Sequence, residues 1–264
     1  MPANTPLVDR VSFRDSDHTY FLEGKRIPSV TTLLGNLSKP ALPWWAAKMG
    51  AEAVADLLDR EMGSSVTPDM RDEAFTLAQR AHINIMQDAG KKGSAVHAAI
   101  EQFHTEFFTA EPPTDDPRAL AAWEAFLAWW ATAALTCVST ERMIVDPDGR
   151  YSGRLDLLLE DSASLWYVCD IKTSKGVWPE MILQNAGYAA AIEGETGREV
   201  AGTKILWLPE GATKLTVVER DREEWLQDFE IFERLIPIHS YRKALDKWLK
   251  SVKAEHGPNQ QETT

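Results

Sequence analysis

Leu165-Trp-Tyr-Val-Cys-Asp-Ile-Lys172 is the stretch that decides the fold, because an apolar run typical of a buried strand ends there on two charged residues. Alternate side chains of a strand point to one face and lie about 6.5–7 Å apart. The Asp170 carboxylate and the Lys172 ammonium therefore share a face, while Cys169 and Ile171 occupy the other. Taken alone, this pattern indicates no more than an ion pair at the end of a strand.

A second carboxylate precedes this strand. Asp156 closes the segment Gly153-Arg-Leu-Asp156, fourteen residues before Asp170. A turn near residues 161–164 would join two antiparallel strands and place the two aspartates side by side. Adjacent carboxylates repel each other unless a cation neutralises them, and Mg²⁺ suits a site with one or two carboxylates plus phosphate oxygens. The sequence therefore predicts a divalent metal site, with Lys172 placed to orient a water or to offset phosphate charge.

Two helical pairs flank these strands. His97 and Glu101 are four residues apart on a predicted helix, as are Gln184 and Tyr188 on the helix after Lys172, so each pair shares a helix face. A lone histidine on a helix is more often a surface or core residue than a metal ligand. The second pair is unremarkable by itself.

The four elements, taken in order, resemble the PD-(D/E)xK nuclease superfamily, and most of all its RecB-type exonuclease branch with its stand-alone phage relatives. The motifs lie within residues 90–190 and read Gly93-Ser-Ala-Val-His97, Gly153-Arg-Leu-Asp156, Asp170-Ile-Lys172 and Gln184-Asn-Ala-Gly-Tyr188. The earlier segment Ile27-Pro-Ser-Val-Thr-Thr-Leu33 is also similar to the opening of such phage enzymes.

The resemblance implies an α/β (α+β) fold, with a central mixed, twisted β-sheet flanked by helices and a mainly helical N-terminal portion. It also implies one or two Mg²⁺ or Mn²⁺ ions, held by His97, Asp156, Asp170 and the backbone carbonyl of Ile171. The catalytic residues would be Lys172, Asp156 and Asp170. The residues that support the site or position DNA would be Gln184, Tyr188, Glu101 and Lys175.

The activity implied by the resemblance is metal-dependent hydrolysis of DNA phosphodiester bonds by an exonuclease, in phage-type replication, recombination or repair. A structure- or site-specific endonuclease of the same superfamily and a non-catalytic DNA-binding module are the alternatives. Besides the DNA substrate, a single-strand annealing or replication protein is the partner to expect. Cys137 and Cys169 are too few for the iron–sulfur cluster of some relatives. Residues 197–204 predict a turn and not a phosphate-binding loop, so ATP is not expected either.

The composition is that of a folded protein. Of 264 residues, 28 are Lys or Arg and 40 are Asp or Glu, and the net charge of −12 argues against an indiscriminate nucleic-acid binder. Residues 111–170 hold eleven acidic and four basic residues, whereas residues 171–264 are close to balance. This distribution predicts local lysine contacts with DNA in place of a uniformly basic surface. No apolar run is long enough for a membrane helix, and residues 1–10 lack the apolar stretch of a secretory signal, so we expect a cytoplasmic protein.

Several lysines and tryptophans are candidates for contacts with DNA. The lysines that could contact phosphates are Lys39, Lys48, Lys91, Lys92, Lys172 and Lys175, although a solvated surface position is the simpler explanation for each except Lys172. The tryptophans that could stack on bases are Trp44, Trp45 and Trp178, each close to a proline that marks the start of an element.

We expect one nuclease domain over residues 1–253, followed by a disordered tail at 254–264. Its parts are an N-terminal hairpin and helical portion (1–90), a catalytic core (91–220) and C-terminal helices (221–253). Strands are predicted over residues 11–13, 20–22, 143–145, 154–159, 165–171, 204–208 and 214–218. Helices are predicted over residues 29–34, 43–61, 67–89, 94–108, 118–135, 179–193 and 221–253, the last interrupted near Pro237.

Overall fold

A computed structural model describes residues 6–105 and 116–256, without the side chains of Lys92, Arg118 and residues 254–256. The strands are β1 Val11–Arg14, β2 Thr19–Leu22, β3 Lys25–Ile27, β4 Leu135–Val145, β5 Ser152–Asp161, β6 Trp166–Lys172, β7 Val200–Trp207 and β8 Thr216–Asp221. The α-helices are α1 Val30–Leu34, α2 Ala41–Arg60, α3 Pro68–Thr105, α4 Pro117–Ala133, α5 Pro179–Thr196, α6 Arg222–Glu233 and α7 Leu235–His256.

The central sheet has five strands in the order β4-β5-β6-β7-β8. β6 and β7 are parallel, because α5 carries the chain back between them, and the other neighbours are antiparallel. β1, β2 and β3 form a separate antiparallel sheet. The predicted fold class, a mixed β-sheet flanked by helices with a mainly helical N-terminal portion, is confirmed.

Helices cover both faces of the central sheet. On one face, α1, α5, α6 and α7 pack against Leu158 and Val168, and on the other, α3 and α4 pack against Leu157, Cys169 and Ile171. A strand that is buried on both faces has apolar side chains on both, which explains the continuous apolar run of β6. Each fully buried aliphatic side chain of this kind contributes roughly 1.5–3 kcal/mol to the free energy of unfolding.

The signals for the helix ends act as the sequence indicates. The Ser29 hydroxyl accepts a hydrogen bond of 2.9 Å from the Thr32 amide and caps α1. α5 starts with Pro179, where the missing N–H would have no helical partner, and ends at Gly197, which has a φ of 68°. These ends fix the direction in which α5 leaves β6.

α3 is a single helix of 38 residues where the sequence predicts two. Gly90 and Gly93 suggest a break, because glycine destabilises a helix interior by about 1 kcal/mol relative to alanine. Gly93 instead allows a close approach, since a Cβ atom on it would lie 3.0 Å from the hydroxyl oxygen of Thr173. The predicted end of the second helix, at residue 108, lies outside the described residues.

β4 is also longer than predicted, and it starts at Leu135 instead of residue 143. α4 ends at Ala133, and Ala134 adopts a left-handed φ of 52°, which turns the chain straight into the strand. Neither glycine nor proline marks this junction, so in the sequence alone the apolar pattern of α4 continues through Leu135.

The remaining differences are small. β3 is a strand that the sequence analysis did not predict. α6 and α7 separate at Arg234, and Pro237 lies in the first turn of α7, where a missing N–H is tolerated. α7 runs to His256, into the predicted tail, and residues 257–264 lie outside the described part of the chain. The predicted division of the domain stays a prediction. Among the helices described, none has both the length and the apolar character needed to cross a membrane.

Candidate metal centre and active site

Three carboxylates lie across neighbouring strands of the central sheet, on Glu141 of β4, Asp156 of β5 and Asp170 of β6. The β4–β5 pairs on either side set Glu141 opposite Asp156. The β5–β6 register, which pairs Leu157 with Cys169, sets Asp156 beside Asp170. Side chains opposite each other on neighbouring strands have Cβ atoms about 4.5–5.5 Å apart, so these acidic groups concentrate negative charge at one place.

Asp156 is held by two neighbours. Its Oδ2 atom accepts a hydrogen bond of 2.7 Å from the Ile171 amide and lies 3.5 Å from Nδ1 of His97. The pairing of β5 with β6 ends at Leu157 and Cys169. The Ile171 N–H therefore has no backbone acceptor on β5, and the Asp156 carboxylate accepts its hydrogen bond instead. The local separation of the two strands therefore gives Asp156 its fixed position.

His97 reaches the sheet from α3. Val96, Ile100 and Phe103 bury one side of this helix against the sheet, and His97 lies at the border of that side with 28% of its side chain exposed. The helix thus places the imidazole over Asp156 without burying it in the apolar core.

Glu141 lies outside the strand that the sequence predicts, because that predicted strand begins at residue 143. The signal was present, because the turn over Asp146-Pro-Asp-Gly149 fixes the pairing of the two strands beside it. Extending that hairpin backwards sets Glu141 opposite Asp156. Glu141 has a left-handed φ of 44°, an irregularity of the strand at the site itself.

His97, Glu141 and Asp156 each offer one ligand atom, and these three atoms lie within 4.8 Å of one another. Together with Glu101 they line an open cavity of about 360 Å³. One imidazole nitrogen and carboxylate oxygens form a donor set that suits Mn²⁺, and Mg²⁺ where waters or phosphate oxygens complete the shell. The side chains present therefore fit a divalent metal ion.

Asp170 and Lys172 lie beside this cluster. The Asp170 carboxylate is 1% exposed and forms an ion pair with the Lys172 ammonium. The Gln184 amide lies 3.4 Å from the other oxygen of Asp170 and donates a hydrogen bond of 2.9 Å to the Tyr188 hydroxyl. The pair on α5 that looks unremarkable in the sequence thus contacts the Asp-x-Lys strand.

Steric crowding explains why a glycine occupies the first position of the Gly-x-x-Asp motif. A Cβ atom on Gly153 would lie 2.7 Å from Cε1 of Tyr188, closer than carbon atoms can approach. The Tyr188 ring is buried against Gly153, with 4% of the residue exposed. The Gly-x-x-Asp and Gln-x-x-x-Tyr motifs are thus connected by close packing. Gly93 plays a similar role where α3 approaches Thr173.

The titrating groups of the site are perturbed by burial and by each other. Burial and the Asp156 carboxylate raise the pKa of Asp170, and the same two causes raise the pKa of Glu141. Burial would raise the pKa of Asp156 as well, but His97, Lys172 and the Ile171 amide together outweigh it and the pKa is lowered. Burial would lower the pKa of His97, but Asp156 and Asp170 together outweigh it, so the pKa of His97 is raised. The site thus holds more negative charge than its own cations neutralise, as a cation-binding site does.

The other residues predicted for the site lie close by or remain untested. The Ile171 side chain is buried beneath the site, and the predicted role of its carbonyl as a ligand stays a prediction, as does that of Asp170. Glu101 lines the metal cavity, whereas Lys175 is exposed in the loop between β6 and α5. Residues 197–204 comprise the short connection after α5 and the first five residues of β7, and not a phosphate-binding loop.

No family model matches the chain, and no curated protein matches it either. Among solved structures, a similar chain is a protein of Eubacterium rectale that is provisionally named an exonuclease, with 10% sequence identity and a TM-score of 0.38. The aligned part covers 56% of this chain and 66% of that one, just under two thirds of its length. A likeness at this level assigns no activity, so the function has to be argued from the side chains of the site.

Proposed function

We propose that this protein is a metal-dependent deoxyribonuclease of the PD-(D/E)xK type that acts as an exonuclease. The observation that carries the proposal is the convergence of His97, Glu141 and Asp156 within 4.8 Å, beside a lysine that is paired with Asp170. Carboxylates, an imidazole and one ammonium at the same point suit the cleavage of a phosphate ester with the help of a metal ion.

His97, Glu141 and Asp156 would hold the ion, with Asp170 and the Ile171 carbonyl as the further ligands that the family resemblance implies. When bound, Mg²⁺ or Mn²⁺ supplies a Lewis acid that polarises the phosphate and makes a water more acidic. Without such a cation, the carboxylates would repel the phosphodiester, which is itself an anion.

Lys172 performs the other part of the chemistry. Its side chain is 20% exposed and its ammonium is anchored by Asp170. An ammonium held in this way orients the attacking water and offsets the negative charge that develops on the phosphate. Gln184 positions Asp170 and is itself fixed by the hydroxyl of Tyr188, so these two α5 residues keep the lysine in place.

DNA as the substrate, the need for a free end and a role in phage-type replication, recombination or repair are supported by the order of the four motifs. The same resemblance supports a cytoplasmic enzyme and a single-strand annealing or replication protein as its partner. Neither ATP nor an iron–sulfur cluster has a part in this mechanism.

The test is the release of nucleotides from linear DNA with Mg²⁺, with Mn²⁺ and with a chelator. We expect metal-dependent release by the wild type and a loss of at least about 100-fold in Lys172→Ala and Asp156→Asn. Lys204→Ala is the matched control, because Lys204 lies on the adjacent strand and pairs with Glu219 away from the site. Full activity of Lys172→Ala would refute the assignment of the site.

Two further substrates decide between the alternatives. Covalently closed circular DNA has no end, so an exonuclease leaves it intact and an endonuclease cleaves it. Binding of DNA without cleavage under either metal would indicate the non-catalytic module.

A further inference from the structure

A second opening leads away from the site along Lys172. An inner cavity of about 210 Å³ has Lys172 and Gln184 in its wall, and an outer cavity of about 560 Å³ continues from it. The two cavities share Lys39, Trp178 and Glu180. We refer to the two cavities together as the Trp178 groove; it lies between the α1–α2 connection and the start of α5.

The loop between β6 and α5, which carries Trp178 into this groove, is held by hydrogen bonds. The Trp207 indole N–H donates a hydrogen bond of 2.8 Å to the Ser174 carbonyl, and the Ser174 hydroxyl donates one of 2.8 Å to the Gly176 carbonyl. Gly176 lies against the ring, because a Cβ atom on it would be 3.3 Å from Cζ2 of Trp178. The indole is 55% exposed and yet positioned before any ligand arrives, which reduces the entropy lost on binding.

The walls of the groove combine apolar surface with cations. Leu37, Leu42 and Pro179 line the outer cavity. Lys39 reaches across towards α5, with its ammonium 3.8 Å from Glu180 and half of its side chain exposed, and Lys172 lies at the inner end. A flat aromatic face flanked by ammonium groups is typical of sites for unpaired nucleotides, where bases stack on aromatic rings and phosphates contact lysines.

The size and the connection of the groove agree with such a ligand. The outer cavity falls within the roughly 300–1,000 Å³ of small-molecule sites, at about 560 Å³. Because Lys172 belongs to both the groove and the candidate active site, a strand whose phosphate is at the site extends directly into the groove. A base inside a duplex has both faces covered by its neighbours, so an internal base has to be unpaired before it can stack on the indole.

We propose that the Trp178 groove binds an unpaired nucleotide of the substrate strand next to the scissile phosphate, with its base on the Trp178 indole and its phosphate near Lys39. This inference rests on the proposed function, and it makes a DNA strand with an unpaired end the substrate class of the enzyme.

The test measures the affinity of the full chain for short single-stranded oligonucleotides, with Ca²⁺ in place of Mg²⁺ so that no cleavage is needed. In one series, a single base is replaced by an abasic site at successive positions. For the wild type we expect one position at which the abasic site raises Kd about 5- to 100-fold, the range for one stacked base. Trp178→Ala should raise Kd by a similar factor and should then be insensitive to the abasic site at that position.

Two variants control the measurement. Trp178→Phe keeps a ring that can stack and should retain the sensitivity to that position. Trp248→Ala removes an indole of similar exposure, 58%, from α7 and should behave as the wild type. The proposal is overturned if the abasic series gives the same Kd values in Trp178→Ala as in the wild type. It is also overturned if Trp178→Ala raises Kd but leaves the sensitivity to the abasic site unchanged.

Hydrolysis by the wild type with Mg²⁺ is measured in parallel, because it separates the two proposals. If the wild type cleaves DNA but Trp178 has no effect on the dependence on bases, the groove assignment fails and the nuclease stands. If the wild type cleaves nothing and the dependence on Trp178 remains, the proposed function fails, and the groove stands as a binding site for an unpaired nucleotide but not for a substrate.

Discussion

The contact between Gly153 and Tyr188 makes the sharpest prediction about how the motifs hold the site together. In Gly153→Ala, the new methyl group would start 2.7 Å from Cε1 of Tyr188. Carbon atoms pack at about 3.5–4.0 Å, so the ring would have to move by roughly 1 Å. Overpacking of a core in this way costs about 1–3 kcal/mol of the free energy of unfolding.

The displaced ring also explains an expected loss of activity. The Tyr188 hydroxyl accepts the hydrogen bond of Gln184, and Gln184 lies 3.4 Å from Asp170. A shift of the ring therefore moves the group that positions the ion pair with Lys172. We expect Gly153→Ala to lower the rate of DNA hydrolysis well before it prevents folding.

A double-mutant cycle isolates this contact. Tyr188→Ala removes the ring and by itself costs about 3–5 kcal/mol. In that background, the next atoms that a Cβ on Gly153 meets belong to Val30 and Ile144, at 3.5 and 3.6 Å, which is ordinary contact. Gly153→Ala should then cost less than about 0.5 kcal/mol, which gives a coupling energy of about 1–3 kcal/mol.

Unfolding in urea, followed by circular dichroism and extrapolated linearly, gives the four free energies. An equal cost of Gly153→Ala with and without the Tyr188 ring would refute the steric explanation of the motif. The midpoint is compared at constant m-value, since a change of m would indicate that two-state unfolding has been lost.

Four further predictions concern the metal, the pH dependence of stability and two other glycines. Glu141→Gln should weaken Mg²⁺ or Mn²⁺ binding at least about tenfold in calorimetry, and an unchanged affinity would exclude this residue as a ligand. Burial lowers the pKa of His104 to about 4 from an ordinary value of 6.5, so the unfolded state binds more protons between these values. The free energy of unfolding that the neutral imidazole contributes is then complete above pH 6.5 and is lost as the pH falls towards 4. His104→Phe should therefore flatten the pH dependence of Tm in this window. Thermal melts at several pH values would show or contradict this. Gly194→Ala would place a Cβ 2.0 Å from Cγ of Pro147 and should destabilise by about 1–3 kcal/mol. Gly90→Ala, with nothing within 4 Å, should stabilise α3 by about 0.5–1 kcal/mol, and thermal melts that rank the two variants the other way would contradict this reasoning.

The sequence predicts the central strands because their signals are local. The apolar run before Asp170 and the turn between β5 and β6 are sufficient to bring Asp156 beside Asp170. Glu141 was not predicted, because its strand begins directly after a helix, without glycine or proline to mark the change. Glu141 becomes part of the site through the pairing of β4 with β5, which the turn over residues 146–149 fixes but which extends to Glu141 only when the strand begins before residue 143.

The predicted break in α3 at Gly90 and Gly93 is wrong for a related reason. The meaning of a glycine depends on what approaches it, and the sequence does not contain that information directly. Gly93 is read locally as a helix break, whereas in the fold it admits Thr173. The same holds for Gly153, whose partner Tyr188 is 35 residues further along the chain.

The distribution of charge differs between the two openings of the site. The opening towards α3 is lined by Glu101, Glu141 and Asp156, so a phosphate cannot approach from there unless a cation lies between. The opening towards α5 contains Lys172 and Lys39 beside one acidic residue, Glu180, so it lacks the excess of negative charge found at the other opening. In the proposed nuclease, the metal would lie on the acidic side and the DNA strand on the lysine side, and the two would meet at Asp170. A net charge of −12 is then compatible with a DNA substrate, because the acidic groups of the site serve the metal ion and not the nucleic acid.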